Sequence, residues 1–218
     1  MPTGRVALAW HWTLTGADCR DYARRMDGQT EKILLEQIRE GNAESFESLV
    51  RLLSPRALRL AIRLTGNRAE AEEIAQEAFL RFYTGIHSFR GESSVGTWLY
   101  QTVTRLAIDH LRRERLRRRI FFFRRDEESE DPAEIIADPA PSPADRVLAE
   151  ETRQRLSRAL GKLPPRQRAV FVLRHQEELT LKEIADLLGL EEGTVKAHLH
   201  RAVVRLRKEL TDGKEAAP

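Results

Sequence analysis

The sequence predicts an all-α protein made of two small helical domains joined by an acidic, proline-rich linker. Three observations carry this. Apolar residues recur at three- and four-residue intervals from Glu31 onward, and no stretch keeps the alternation of a strand. Capping residues open these segments and glycines close them. One stretch past the middle of the chain breaks the pattern altogether.

Residues 1–25 show no clean period and hold two of the three tryptophans, Trp10 and Trp12. They read as an N-terminal extension or a mis-called start, with Met26 as the expected true start. From Glu31 the pattern is helical, with Ile33, Leu34, Leu35 and Ile38 on one face and Gly41 as the stop. Asn42 is placed to cap a second helix carrying Phe46, Leu49, Val50, Leu53, Leu58, Ala61 and Ile62. Pro55 lies inside it, so a kink or short break is expected there. Gly66 ends that helix. Asn67 and Glu70 make a capping-box-like start for a third, over about Arg68 to Thr84. His87 to Gly96 reads as a loop, and a long helix is expected from Thr97 to Arg119.

Between Asp126 and Asp145 lie eight acids, four prolines and no Lys or Arg. Prolines remove backbone donors and like charges repel, so the segment is expected to be an extended linker. The division is therefore 26–119, a linker over 120–146, a second domain over 147–211 and a short tail over 212–218. In the second domain, Val147 to Gly161 has helical patterning, and Pro164 and Pro165 suit the start of another helix. Thr180 and Glu183 form a capping box, flanked by Leu179 and Ile184 as a hydrophobic staple. The helix Leu181 to Leu188 then meets Gly189, a residue free to adopt the left-handed backbone that ends a helix. A further helix carries Val195, Leu199, Ala202 or Val203, Leu206 and Leu210.

Short helix, glycine turn and longer helix make a helix-turn-helix. From Gly193 to Lys208 there are five cations (Lys196, Arg201, Arg205, Arg207 and Lys208) and no acid. Lys196, Ala197, His200 and Arg201 project from the half of such a helix that enters a major groove, where Lys and Arg donate to guanine edges. Arg205, Arg207 and Lys208, further along, suit phosphates. The long helix of the first domain is basic too: seven arginines stand against Asp109 and Glu114, with Trp98 and Tyr100 near its start. Arginines hold phosphates and aromatic rings stack on exposed bases. A solvated basic face and a core tryptophan are the plainer readings of the same residues.

Other chemistries find no support. The single cysteine, Cys19, excludes an internal disulfide framework and fits a reducing cytoplasm. No apolar run approaches the ~20 residues that span a bilayer, so no membrane insertion is expected. No phosphate-binding glycine loop, nucleophile set or metal cluster is evident, so no catalytic residue and no cofactor is expected. His198 and His200, two apart on a helix, face different sides and do not suit one metal ion. A stand-alone helix-turn-helix regulator is the main alternative; a recombinase or nuclease would need a carboxylate or serine cluster in a folded site.

Three motifs make the chain resemble the extracytoplasmic-function sigma factors of bacterial RNA polymerase, over nearly all of Glu31 to Leu210. The first is Ala71-Glu72-Glu73-Ile74-Ala75-Gln76-Glu77-Ala78-Phe79-Leu80, which resembles the helix that binds the coiled coil of the polymerase β′ subunit. The resemblance implies that Glu73, Gln76, Glu77 and Leu80 touch polymerase. The second runs from Phe89-Arg90-Gly91 through Trp98-Leu99-Tyr100 to Asp109-His110-Leu111-Arg112-Arg113, and resembles the segment that reads and melts the −10 element. It implies that Ser88, Phe89, Arg90, Trp98, Arg105, Asp109, Arg112 and Arg113 meet −10 DNA, with the loop near Ser88 to Gly96 capturing an extruded base. The third comprises Leu163-Pro164, Glu183-Ile184-Ala185, Gly193-Thr194-Val195-Lys196 and His200-Arg201-Ala202, and resembles the −35-binding domain. It implies −35 contacts from Thr194, Lys196, Ala197, His200, Arg201 and Arg205.

The family implies a non-enzymatic cytoplasmic initiation factor. Its partners would be core RNA polymerase (β′ and β subunits), promoter DNA and an anti-sigma factor. The acidic linker would thread polymerase channels as a phosphate mimic, and the second domain would lie near the β flap. In the free chain the two domains would pack together or be held by an inhibitor. One departure is Arg105, where the family often has Asn, so the −10 sequence preference is not carried over.

Overall fold

The computed structural model describes residues 28–122 and 154–215. The expectations for residues 1–25, for most of the linker and for the start of the helix at Val147 lie outside the described residues. Within them the chain is helical, with no strand. The helices are α1 (Gly28–Arg39), α2 (Ala43–Thr65), α3 (Arg68–Gly85), a 3-10 turn (Ile86–Ser88), α4 (Val95–Phe122), α5 (residues 154–161), α6 (Pro165–His175), α7 (Leu181–Leu188) and α8 (Glu192–Glu215).

The capping signals act largely as read. The Asn42 side chain accepts from the backbone N–H groups of Glu44 and Ser45, opening α2. Gly66, at φ 74°, closes α2 with its N–H on the Ile62 carbonyl. Asn67 accepts from the Glu70 N–H, but the reciprocal half of a capping box is replaced. The Glu70 carboxylate turns instead toward α4, where its Oε2 lies 3.0 Å from His110 Nε2.

Two boundaries correct the sequence reading. Pro55 does not break α2, which runs unbroken from Ala43 to Thr65. Proline costs one hydrogen bond in a helix interior, and the burial of Ser54, Ala57, Leu58, Leu60 and Ala61 around it offsets that loss. The loop expected at His87 to Gly96 is shorter than thought. Its first residues form the 3-10 turn, and α4 begins at Val95.

The first helices pack closely because small residues line their contacts. Ala71, Ala75 and Ala78 of α3 and Ala107 of α4 are almost fully buried beside Leu58, Leu60, Leu64 and Val103. The same apolar cluster continues without interruption into Ala169, Val170, Val172 and Leu173 of α6, Ile184 and Ala185 of α7 and Val195 of α8. The helices before and after the linker therefore share one core here. Polar ties cross the same boundary. Arg63 Nη1 of α2 donates to the Gln176 carbonyl at 2.9 Å and to Glu177 Oε1 at 2.6 Å. Gln101 Nε2 of α4 donates to the Leu187 carbonyl at 3.0 Å.

Charged and phenolic groups are trapped at this junction. Arg168 of α6 is 5% exposed. Burial pulls its guanidinium down to about 10, against the opposing pull of Glu70, and it stays charged at neutral pH. Tyr100 is buried beneath the Arg56 guanidinium, 4.8 Å from its ring centroid. Burial first and the Glu177 carboxylate second hold its phenol well above the ordinary value.

Candidate nucleic-acid interfaces

The first candidate surface is a cleft of about 450 Å³ between the end of α3, the following loop and the start of α4. Its floor is aromatic. Phe82 is fully buried, with Phe89 edge-on to it at 5.7 Å and Trp98 tilted against it at 5.5 Å. Trp98 thus serves both readings, half-buried against the core and facing the cleft. Ser88 and Arg90 line the rim; Ser88 Oγ donates to the Gly85 carbonyl at 2.8 Å. The Arg90 side chain is 85% exposed.

The loop that makes this cleft is held from far away in sequence. Arg39 Nη2 donates to the Phe89 carbonyl at 2.6 Å. Glu31 Oε1 accepts from the Val95 N–H at 2.8 Å and so helps to start α4. Ser94 Oγ accepts from the Thr97 N–H at 3.1 Å and adds a local cap. None of these three residues was singled out from the sequence. Nor was Gln101, one turn beyond Trp98, whose side chain also lines the cleft. An electronegative side chain before an apolar helix start was visible at Ser94; nothing local marked Glu31 or Arg39.

Beyond the cleft, Arg105, Arg112 and Arg113 are exposed along α4. Asp109 is exposed as well, and its side chain engages Arg112 at 3.4 Å. Arg113 Nε reaches the Asp109 backbone carbonyl at 3.4 Å. Asp109 thus sits exposed among these arginines, its carboxylate on Arg112 and its carbonyl on Arg113. The arginines present a run of positive charge leading away from an aromatic cleft, an arrangement suited to a single strand whose bases stack while its phosphates follow the helix.

The second candidate surface lies on α8. Thr180 and Glu183 form the expected capping box: Glu183 N donates to Thr180 Oγ1 and Thr180 N to Glu183 Oε2. The Thr180 hydroxyl also donates to Glu183 Oε2 at 2.7 Å, and this bond first, then the one from the Thr180 N–H, holds the Glu183 carboxyl below its usual value. Gly189 adopts φ 64°, and Leu190 N reaches back to the Ala185 carbonyl at 2.9 Å. The turn fixes how α8 leaves α7. Val195, Ala202 and Leu206 are buried, which sends Lys196, His200, Arg201 and Arg205 to solvent, with Thr194 and Ala197 half-exposed beside them. Lys196 pairs with Glu192 at 3.1 Å. Burial, then Arg201 and Arg166, lowers the pKa of His198, which faces inward from the same helix. Leu210, expected on the apolar stripe, is 40% exposed near the helix end.

The third surface is on α3. Glu73, Gln76 and Leu80 are exposed, and Glu77 is half-buried in an ion pair with Arg81 at 2.7 Å. Leu80 is 57% exposed and Tyr83, three residues on, 45% exposed. Tyr83 was not picked from the sequence, although its spacing from Gln76 and Leu80 puts it on the same face. Among the described residues no group of His, Cys, Asp and Glu is arranged to hold a metal ion. No described helix is long and apolar enough to cross a membrane.

Comparison with known proteins matches this layout. The family model for sigma-70 region 2 fits residues 49–117, and that for sigma-70 region 4 fits residues 153–206. The chain is 34% identical over 182 residues to the ECF RNA polymerase sigma factor SigW of Bacillus subtilis, covering 82% of this chain and 95% of that one. It belongs to the ECF RNA polymerase sigma factors. A second relative, the ECF sigma factor SigE of Mycolicibacterium smegmatis, is 36% identical over 169 residues, 76% of this chain and 62% of its own length. The fold resembles that of the sigma factor RpoE of Bartonella quintana, solved with the anti-sigma factor NepR. There the TM-score is 0.56 at 22% identity, with 78% of this chain and 98% of that one covered. It also resembles the ECF sigma factor SigJ of Mycobacterium tuberculosis, with TM-score 0.51, 29% identity and coverage of 75% and 52%. As a sigma factor, the protein acts with RNA polymerase in transcription initiation. Its α4 falls within the region 2 match as far as residue 117, and its helix-turn-helix within the region 4 match as far as residue 206.

Proposed function

We propose that this sigma factor grips a promoter at two places, with the α3–α4 cleft at the −10 element and α8 at the −35 element, in the cytoplasm where its polymerase works. The observation that supports this best is the aromatic-floored cleft continuing into exposed arginines. Stacking of an unpaired base on Phe89 and Trp98, with phosphates on Arg105, Arg112 and Arg113, offsets the few kcal/mol that unpairing costs. No bond is made or broken in that step. Thr194, Lys196, Ala197, His200 and Arg201 face the major groove of the −35 duplex, and Arg205 meets its phosphates.

In this reading residues 26–119 form the unit that binds polymerase and the −10 element, and 147–211 the −35 unit. The linker over 120–146 follows polymerase channels as a phosphate mimic, with the −35 unit near the β flap. Glu73, Gln76, Glu77 and Leu80 dock on the β′ coiled coil, with Tyr83 extending that apolar edge. An anti-sigma factor is the natural inhibitor, since the Bartonella relative was solved with one.

The packed arrangement bears on mechanism. Elements centred near −10 and −35 are about 25 base pairs apart, or about 85 Å at 3.4 Å per pair. A compact body of about 160 residues has a radius of gyration of about 15 Å and a width of about 40 Å. The packed form is too small to hold both elements, so the two units separate on polymerase.

Run-off transcription with core polymerase over a promoter library tests the function: discrete starts that depend on this protein are expected, and none at any promoter overturns it. Replacing Gln76 and Glu77 together by Ala is expected to weaken polymerase binding while the helix-turn-helix keeps its melting behaviour. Unchanged polymerase binding would remove this face from the assignment.

A further inference from the structure

We propose that Gln101 is a base-selecting residue of the −10 cleft; this rests on the reading of that cleft as a base-capture site. Stacking on aromatic rings is tolerant of sequence, because every base has a π-face. Selection needs a donor and an acceptor held at a fixed place against a base edge. Most polar groups around the cleft do not offer that. Arg90 and Glu92 are more than four-fifths exposed and stand 4.0 Å apart over the loop. The hydroxyl of Ser88 is spent on its own turn, at the Gly85 carbonyl.

Gln101 differs on each count. It sits on the rigid α4, one turn after Trp98, so its side chain lies on the same helix face as the stacking ring. It is half-buried. Its amide carries a donor and an acceptor side by side, the pairing that an amino-bearing base such as adenine offers in return. In the packed form one of its two N–H donors is already in use, on the Leu187 carbonyl of α7 at 3.0 Å. The separation of the two units that promoter binding requires releases that donor beside the cleft. A glutamine engaged by an interdomain bond in the packed form is thereby freed where an unpaired base arrives.

The test uses holoenzyme and forked DNA whose non-template overhang is randomised across the −10 region. Bound molecules are sequenced for the wild type, Gln101→Leu and Gln101→Glu. Leu keeps the bulk and loses both polar atoms; Glu keeps the shape and loses the donor. The wild type is expected to prefer one base by about fivefold or more at a single overhang position. Gln101→Leu is expected to flatten that position alone, and Gln101→Glu to change which base is preferred there. If both variants keep the wild-type base at every position, or weaken binding of all sequences equally, Gln101 is not base-selecting. If the wild type itself shows no preference anywhere in the overhang, the base-capture reading of the cleft fails, and this proposal with it. Thermal unfolding followed by circular dichroism establishes that each variant is folded; should Gln101→Leu be unfolded, the Gln101→Glu pattern decides alone.

Discussion

The two surfaces proposed to face the promoter are built by opposite strategies. The helix-turn-helix is fixed by near neighbours. Thr180 and Glu183 cap α7 three residues apart, Gly189 ends it, and Leu190 closes on Ala185. The α3–α4 cleft is fixed by distant ones. Arg39 holds the Phe89 carbonyl across 50 residues, and Glu31 holds the Val95 N–H across 64. A recognition helix must present a rigid, prearranged row of side chains to a groove that already exists. A base-capturing loop must keep an aromatic cleft open to solvent, and so cannot be stabilised by filling it. Its order has to come from the outside of the loop.

The contrast predicts where substitutions act. The largest effect is expected from Arg39→Ala, which removes a charge-assisted bond worth about 1.5–3 kcal/mol from the loop. Open-complex formation should fall, read by permanganate reactivity of unpaired thymines, while −35 duplex binding is unchanged. Equal loss on both elements would mean that Arg39 serves general stability. Next is Arg201→Ala, expected to weaken −35 binding by about 1–3 kcal/mol with little effect on melting at −10. Equal weakening on promoter and random duplex would make Arg201 a phosphate contact only. Thr180→Ala should lower stability by about 1 kcal/mol through loss of the cap, seen as a reduced midpoint in urea. An unshifted midpoint would show that α7 does not need its local cap, and the comparison would blur.

The smallest effect concerns pH. Burial, Arg201 and Arg166 lower the folded-state pKa of His198. The unfolded chain then takes up its proton first as pH falls, so stability is full above the ordinary histidine range and declines as pH drops through and below it. His198→Leu should flatten that part of the profile between about pH 7 and pH 5. A profile identical to the wild type would assign the pH dependence to other groups.

The same contrast explains what was legible in the sequence. The bounds of α7, its capping box and the glycine turn were read in advance, because each is a property of adjacent residues. So was the exposure of Lys196, His200, Arg201 and Arg205, which follows from the buried stripe of Val195, Ala202 and Leu206. The α3 face of Glu73, Gln76 and Leu80 was singled out from the family motif and is exposed, and Tyr83 would have followed from spacing alone. The start of α4 at Val95 was missed because part of its cap comes from Glu31. The continuity of α2 through Pro55 was missed because burial on both sides outweighs one lost bond. The burial of Arg168 had no sequence signal, because it depends on the docking of α6 against the first helices. Nothing in the sequence marks Gln101, since its meaning depends on the cleft on one side and Leu187 on the other.

The central claim is that one chain carries two promoter-facing units that pack together when free and part when both elements are held. The distance between dyes on Glu47→Cys and Lys208→Cys, both at exposed positions of α2 and α8, tests this most directly, with Cys19 replaced by Ser so that the labels are unique. Energy transfer should report a separation within about 40 Å in the free protein and beyond about 60 Å in holoenzyme on promoter DNA. The same short distance in both states would contradict the account.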